Sequence, residues 1–243
     1  MNNTTKQIKR IKSGIQGFDQ LIHGGFPAGR SYLVSGEPGT GKTIFSLQFL
    51  LEALKNNQSA IYISIDEKPE HVINDAAALG WDLQHYLLNK QLHIIDITSY
   101  FGSTQDLEGN ELNINNIVTK ITEFIKSVAP SRIVIDPIAP LIMSDKKINN
   151  VVEYIRTLIF SIESIENCTT LMTSYVPVGS KKVSFFGIEE FASSGIIVLK
   201  LQSENNKRFR TITVRKMRGT RIDLSEYTFD IITDRGIVLR QTL

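Results

Sequence analysis

The amino-acid sequence predicts an α/β protein with a mostly parallel central sheet flanked by helices. Short β-prone runs alternate with segments of helical apolar spacing from residue 31 to about residue 194, which is typical of parallel strands joined by crossover helices. From Gly195 the pattern changes to β-rich segments joined by short polar turns, which predicts an antiparallel extension of the sheet. The 243 residues suffice for one large core, so we expect a single domain over 1–243, with 1–12 as a loose N-terminal segment.

The boundaries of the predicted elements follow from apolar spacing and turn residues. The run 60–65 is continuous and apolar, as in a buried strand, whereas 114–128 has its apolar residues on one helical face. In chain order we expect a helix at 13–22, a turn at 26–29, a strand at 31–35, a helix at 44–55, a strand at 60–65, a helix from Pro69 to about Leu79, a strand at 92–97, a loop at 99–113, a helix at 114–128, a strand at 132–136, a helix at 150–166, a strand at 169–175, and β-rich segments at 195–201, 209–216, 227–232 and 236–239.

Residues 36–43 match the phosphate-binding pattern G-x-x-x-x-G-K-[ST] at every fixed position. Glycines let backbone N–H groups point at phosphate oxygens, Lys42 supplies a positive charge for the β and γ phosphates, and the Thr43 hydroxyl is placed for Mg²⁺. A β-prone run precedes the motif and a helical pattern follows it, which favours this reading over a glycine-rich turn that binds nothing. The candidate nucleotide-binding residues here are Gly36, Pro38, Gly39, Thr40, Gly41, Lys42, Thr43 and Ile44.

Acidic residues follow two of the predicted strands. Asp66 and Glu67 come after the run 60–65, at the strand end where open α/β sheets bind ligands, although a solvated pair of loop acids would look the same. Asp136 ends the apolar run 132–136, and such an aspartate commonly holds Mg²⁺ in nucleotide sites, often through water. We therefore take Thr43 and Asp136 as the candidate metal residues.

Composition excludes several classes of protein. A net charge of +2 argues neither for nor against nucleic acid, because a nearly neutral total can hide a basic strip. The first twelve residues lack the apolar core of a secretory signal, and no apolar run approaches the ~20 residues of a membrane span. Cys168 is the only cysteine, so no internal disulfide is possible, and the scattered histidines form no metal-ligand pattern with it. We expect a cytoplasmic location without a membrane span.

Several stretches together resemble the KaiC branch of the RecA-like ATPases, which are P-loop NTPases. The similarity covers about residues 13–239, and its most telling part is Lys216-Met217-Arg218-Gly219. The stretches that carry it are 14–19, 24–29, 36–43, 66–67, 80–83, 187–191 and 214–220. The clock protein of this family has two such domains in tandem, whereas this chain has one, as in the single-domain relatives.

The resemblance implies an ATPase that assembles as a homohexameric ring, with ATP and Mg²⁺ at each subunit boundary. One subunit would give the phosphate loop, Asp136, and Asp66-Glu67, which would polarise the attacking water. Its neighbour would give Lys216 and Arg218 as cations against the γ-phosphate. Three further residues would lie near the nucleotide: Met217, Thr220 and Asp234. Without the resemblance, the basic stretch could equally be an exposed strand edge that discourages aggregation.

Three positions depart from the family pattern. The family usually has Glu-Glu where this chain has Asp66-Glu67. Either the water is held differently or Glu67 carries more of the task, and slow hydrolysis is compatible with this change. Tyr175 stands where the clock protein has a carboxylate. The phosphorylated Ser-Thr pair of the clock protein aligns with Glu190-Phe191, so autokinase activity is not predicted.

Three functions fit these residues. The first is an ATPase ring that regulates its own assembly or a protein partner. The second is a DNA-binding ATPase, for which Lys146-Lys147 and Lys181-Lys182 would contact phosphates and Phe185-Phe186 would stack on bases; solvated loop lysines are the alternative. The third is a nucleotide sensor with little turnover.

Overall fold

The computed structural model describes residues 8–97, 114–139, 148–187 and 189–242. Its strands are β1 Arg10–Ile11, β2 Phe26–Pro27, β3 Ser31–Gly36, β4 Ala60–Ser64, β5 Leu92–Asp96, β6 Arg132–Asp136, β7 Thr169–Tyr175, β8 Gly195–Glu204, β9 Lys207–Met217, β10 Tyr227–Ile232 and β11 Gly236–Thr242. Its helices are α1 Phe18–Leu21, α2 Lys42–Lys55, α3 Pro69–Ala78, α4 Leu83–Leu88, α5 Ile114–Val128, α6 Ile148–Glu163 and α7 Glu189–Ala192.

The main sheet confirms the predicted fold class. Across the described part of the chain its strand order is β11-β10-β9-β8-β3-β7-β6-β4-β5. The six strands from β5 to β8 are parallel, and β9, β10 and β11 extend the sheet in antiparallel fashion. The carboxyl ends of the parallel strands therefore meet along one edge, where α/β sheets bind ligands.

Two apolar clusters cover the two faces of the sheet. Alternate residues of β3 enter different clusters: Tyr32 and Val34 pack with α2, whereas Leu33 packs on the face that α5 and α6 cover. This division follows from the two-residue period of a strand and explains why the parallel strands have continuous apolar runs. Cys168 is buried in the second cluster, and burial raises the pKa of its thiol to about 12.

The structure corrects the predicted start of the chain. The helix expected at 13–22 is only the four residues of α1, because Gly14 (φ 78°) and Gly17 (φ 89°) adopt left-handed backbone conformations that interrupt a helix. The segment expected to be loose contains β1, and the turn expected at 26–29 contains β2, which pairs with β1.

Other boundaries differ by a few residues, and two short helices, α4 and α7, were not expected. The hairpin of β8 and β9 is longer than expected, because Asn205 and Asn206 form a tight turn with φ values of 49° and 62°. The expected loop at 99–113 and the pair Lys146-Lys147 lie outside the described residues. Within the described ranges, no helix combines the length and apolar character needed to cross a membrane.

Candidate nucleotide-binding site

The phosphate loop lies between β3 and α2 at the carboxyl edge of the sheet, as the motif predicts. Gly39 (φ 78°) and Gly41 (φ 102°) have left-handed backbones, which is the geometry that turns loop N–H groups inward. Gly36 is needed for close packing, since a Cβ there would lie 2.4 Å from the Leu199 carbonyl oxygen. Helix α2 directs its N-terminus at the same loop, which favours an anion there.

Lys42 reaches back across the loop. Its Nζ donates to the carbonyl oxygens of Gly36 and Glu37, both at 3.0 Å. Burial lowers the pKa of Lys42, and the charge of Asp136 acts in the opposite direction. A partly desolvated ammonium whose described hydrogen bonds go to neutral carbonyls is well prepared for a phosphate, so the loop fits a nucleoside phosphate.

The candidate metal residues converge through Tyr62, which the sequence reasoning missed. Asp136 is 8 % exposed; its Oδ2 accepts a hydrogen bond from the Tyr62 hydroxyl at 2.7 Å, and its Oδ1 accepts one from the Thr173 hydroxyl. Burial is the main cause that raises the pKa of the Tyr62 phenol, and the nearby Thr43 side chain acts in the opposite direction. An oriented carboxylate close to a hydroxyl suits Mg²⁺ bound through water, so these donors fit the ion. The one sequence signal that could have pointed to Tyr62 is a tyrosine inside the apolar run 60–65, because a buried hydroxyl needs a hydrogen-bond partner.

Asp66 and Glu67 follow β4 on the same edge as Asp136. Asp66 is exposed and Glu67 is half-buried. Desolvation is the main cause that raises the pKa of each carboxyl; the charge of Asp136 adds to both, and Asp75 adds to Glu67. Three carboxylates therefore concentrate negative charge beside the phosphate loop. Such a cluster suits a cation and a water-orienting group.

Substitution of these acids should separate activity from stability. For the ATPase that the resemblance implies, we expect Glu67→Gln to lower hydrolysis about a hundredfold and Asp66→Asn about tenfold, because the less exposed carboxylate can be better oriented as a base. The folded state keeps both protons to a higher pH than the unfolded chain, so stability falls as pH rises from the unfolded pKa through the folded one. Both variants should therefore melt at a higher temperature than the parent at pH 7, with the gain vanishing below about pH 4. Melting curves at both pH values test this, and a melting temperature lowered at pH 7 would contradict it.

Tyr175 occupies the edge of the same site. In the sheet register it lies beside Gly36, and its ring packs on Phe185 with 4.7 Å between centroids. Desolvation, followed by the charge of Asp66, raises the pKa of the Tyr175 phenol. A neutral hydroxyl thus stands next to the carboxylates, at the position where the sequence departs from the family.

Lys216 and Arg218 are not brought to the phosphate loop of their own chain. Lys216 Nζ donates to the carbonyl oxygens of Glu190 and Ser193, both at 2.8 Å, and Arg218 donates to that of Phe191 at 3.0 Å. Desolvation and the charge of Arg218 lower the pKa of Lys216, against the effect of Glu190. The two cations are thus held together on α7 and the turn after it.

The other three predicted nucleotide residues lie with different partners. Met217 is buried opposite Gly195, and the Thr220 hydroxyl accepts a hydrogen bond from Arg10 at 3.0 Å. Asp234 packs on Gly80, where a Cβ would lie only 1.8 Å from its Oδ1. None of these contacts reaches the phosphate loop within the described part of the chain.

The residues considered for DNA contact give that function little support. Lys181 and Lys182 are exposed, but Phe186 packs against the apolar core and Phe185 packs between Tyr175 and Phe186. Both rings are therefore already engaged within the protein. No described contact favours base stacking over a structural role.

Comparisons with known proteins agree with this geometry. The family model described as "ATPase: KaiC" matches residues 11–243. The circadian clock oscillator protein KaiC of Prochlorococcus marinus subsp. pastoris is 36% identical over 234 residues, 96% of this chain and 45% of the relative. That of a Nostoc species is 32% identical over 234 residues, 96% of this chain and 44% of the relative. The chain thus spans less than half the length of these curated relatives.

A solved structure shows the same fold over the whole of its chain. It is the crystal structure of a KaiC-like protein from the hyperthermophilic archaeon Pyrococcus horikoshii OT3, with a TM-score of 0.83 and 32% identity, covering 96% of this chain and 100% of the other. The phosphate loop, the sheet order and these similarities lead to one assignment: the chain belongs to the KaiC family of ATPases, within the RecA superfamily.

Proposed function

We propose that this protein binds and hydrolyses ATP with Mg²⁺ at a site shared between neighbouring subunits of a ring, a hexamer as the family resemblance implies. The observation that carries the proposal is the separation, within one chain, of the phosphate loop from the cations Lys216 and Arg218. We further propose that the ring works in the cytoplasm and uses nucleotide state to control its own assembly or a protein partner.

The sheet register supports the separation. Gly36, where the phosphate loop begins, pairs with Leu199 of β8, whereas Tyr32, near the other end of β3, pairs with Gly195, which in turn pairs with Met217 of β9. Four residues of a parallel strand span about 13 Å, so the two groups lie at opposite ends of the strands. Both cations are also bonded to carbonyls of their own chain, in α7 and the turn after it. A second subunit can bring them to a phosphate that their own subunit cannot reach.

The chemistry of the shared site follows from the residues at each half. The loop N–H groups and Lys42 would bind the β and γ phosphates, and Thr43 and Asp136 would hold Mg²⁺, which neutralises phosphate charge when bound. Glu67, assisted by Asp66, would orient the attacking water. Lys216 and Arg218 of the neighbour would stabilise charge on the γ-phosphoryl group as it leaves.

Mixing two inactive variants tests the shared site. Lys42→Ala removes the phosphate half of a site, and Arg218→Ala removes the cation half. If each site takes its halves from different subunits, a random equal mixture completes about one site in four and should recover up to about a quarter of the parent activity. Differently tagged variants that co-purify verify that mixed assemblies form. Mixed assemblies with no activity above that of either variant would contradict a shared site.

A slow nucleotide sensor is the second candidate. The exposure of Asp66 and the phenol of Tyr175 beside it favour a weakly activated water. Turnover measured at saturating ATP, compared with ATP affinity in the same samples, distinguishes the two functions. Tight binding with less than about one turnover per hour would support the sensor, because ordinary enzymes turn over many times a second.

A further inference from the structure

Glu189 is a buried carboxylate that has no part in the nucleotide chemistry described above. Its side chain is 0% exposed. One oxygen, Oε1, accepts hydrogen bonds from the Ser174 hydroxyl at 3.2 Å and the Phe186 N–H at 3.4 Å, and Oε2 accepts one from the Ser184 hydroxyl at 2.9 Å. A carboxylate is costly to bury unless it is well hydrogen-bonded, so this set of donors is required by its position.

The two serines connect Glu189 to the edge of the phosphate site. Ser174 precedes Tyr175 at the carboxyl end of β7, and its hydroxyl oxygen accepts from the Phe185 N–H at 3.1 Å. The hydroxyl oxygen of Ser184 accepts from the Gly187 N–H at 3.0 Å. Glu189 therefore fastens the segment 184–187 and the end of β7 to the start of α7.

The backbone of Glu189 lies next to the carbonyl groups that bind the two cations. It is the first residue of α7, and its own carbonyl oxygen accepts hydrogen bonds from both the amide and the hydroxyl of Ser193. The carbonyl oxygens of Glu190, Phe191 and Ser193 are the ones that Lys216 and Arg218 contact. The position of α7 thus sets the position of both cations.

We propose that Glu189 is a positioning residue for hydrolysis in the neighbouring subunit, because it fixes α7 and thereby Lys216 and Arg218; the proposal rests on the shared site proposed above. The role requires two acceptor oxygens. Glutamine has nearly the same shape but offers one oxygen and an NH₂ group, so Glu189→Gln leaves one side of the network without its acceptor. The helix then loses its fixed position while the phosphate half of the site keeps its residues.

The mixed assembly provides a test in which the location of the substitution matters. In the complemented site, the Lys42→Ala subunit donates the cations and the Arg218→Ala subunit binds ATP. Adding Glu189→Gln to the Lys42→Ala subunit should lower the recovered activity about tenfold to a hundredfold, because small misplacements of catalytic groups cost that much. Adding it to the Arg218→Ala subunit should lower the recovered activity much less, about threefold at most, because that subunit supplies no cations to the complemented site and only the end of its β7 is disturbed. The second mixture is the matched control for folding and assembly.

Each outcome decides the proposal. Equal losses in both mixtures would overturn it, because Glu189 would then matter only for the folding of whichever subunit carries the substitution. No loss in either mixture would also overturn it. If the parent mixture forms but recovers no activity, the shared site itself fails and this proposal falls with it. Should the Glu189→Gln subunit fail to fold, Ser184→Ala takes its place with the same two mixtures. This substitution removes the donor to Oε2 of Glu189, together with the acceptor of the Gly187 N–H and the contact with Glu190.

Discussion

Arg218→Ala should lower kcat for ATP hydrolysis about a thousandfold or more while it leaves ATP affinity within about threefold of the parent, since a finger cation acts mainly on the transition state. The physical reason is position: the guanidinium is bonded to the Phe191 carbonyl, away from the phosphate loop of its own chain. Turnover and equilibrium binding of ATP, measured on the same preparation, separate the two effects.

The matched control for this substitution is Arg208→Ala. Arg208 is an exposed arginine on the same strand, β9, where it pairs with Ser203 next to the turn between β8 and β9, so its removal costs the same charge without removing a residue assigned to the site. We expect it to retain parent activity. An Arg218→Ala variant with weak ATP binding and normal kcat would contradict the finger role, because the side chain would then act on bound ATP before reaction.

Lys42→Ala should abolish ATP-induced stabilisation and lower kcat/KM by about a thousandfold, because a charged donor is lost where phosphate charge is concentrated. Burial disfavours the ammonium in the ligand-free protein, as the lowered pKa of Lys42 shows. The variant without ATP should therefore unfold at no lower temperature than the parent. Thermal melting with and without ATP·Mg²⁺ measures both effects.

Lys55→Ala is the control for this second prediction. Lys55 is an exposed lysine in the last turn of the same helix, α2. Its loss removes the same charge, but at the end of the helix that is far from the loop. It should keep the ATP-induced shift. A Lys42→Ala protein that is stabilised by ATP as strongly as the parent would show that the loop does not bind phosphate through this side chain.

The placement of the phosphate loop could be predicted from sequence because its information is local. Loop 36–43 carries its glycines and its lysine at fixed spacing, and Asp136 ends an apolar run, so both positions follow from short stretches. Tyr62 and Thr173 were missed because they meet Asp136 only through the strand order β7-β6-β4, which no local pattern specifies. Hydrogen bonds between strands that are neighbours in the sheet but far apart in sequence depend on the topology of the fold and cannot be read from a short stretch.

The cations illustrate the same limit in another way. Their identity came from a resemblance, but nothing local in 214–220 says at which end of the sheet the stretch lies. The antiparallel return of β9 decides that, by placing Met217 opposite Gly195. Glu189 was invisible for a similar reason, since its donors come from β7 and from 184–186. The predicted helix at 13–22 was wrong because Gly14 and Gly17, with left-handed backbones, interrupt a helix that apolar spacing alone would extend over these residues.

The two half-sites that we propose, at opposite ends of the β-strands, have a consequence for how many sites an assembly can contain. Subunits that join head to tail leave one unused phosphate loop at one end and one unused pair of cations at the other, so an open row has one working site fewer than it has subunits. Only closure makes the two numbers equal. A dissociated subunit would have none, and dilution would therefore switch hydrolysis off without any inhibitor.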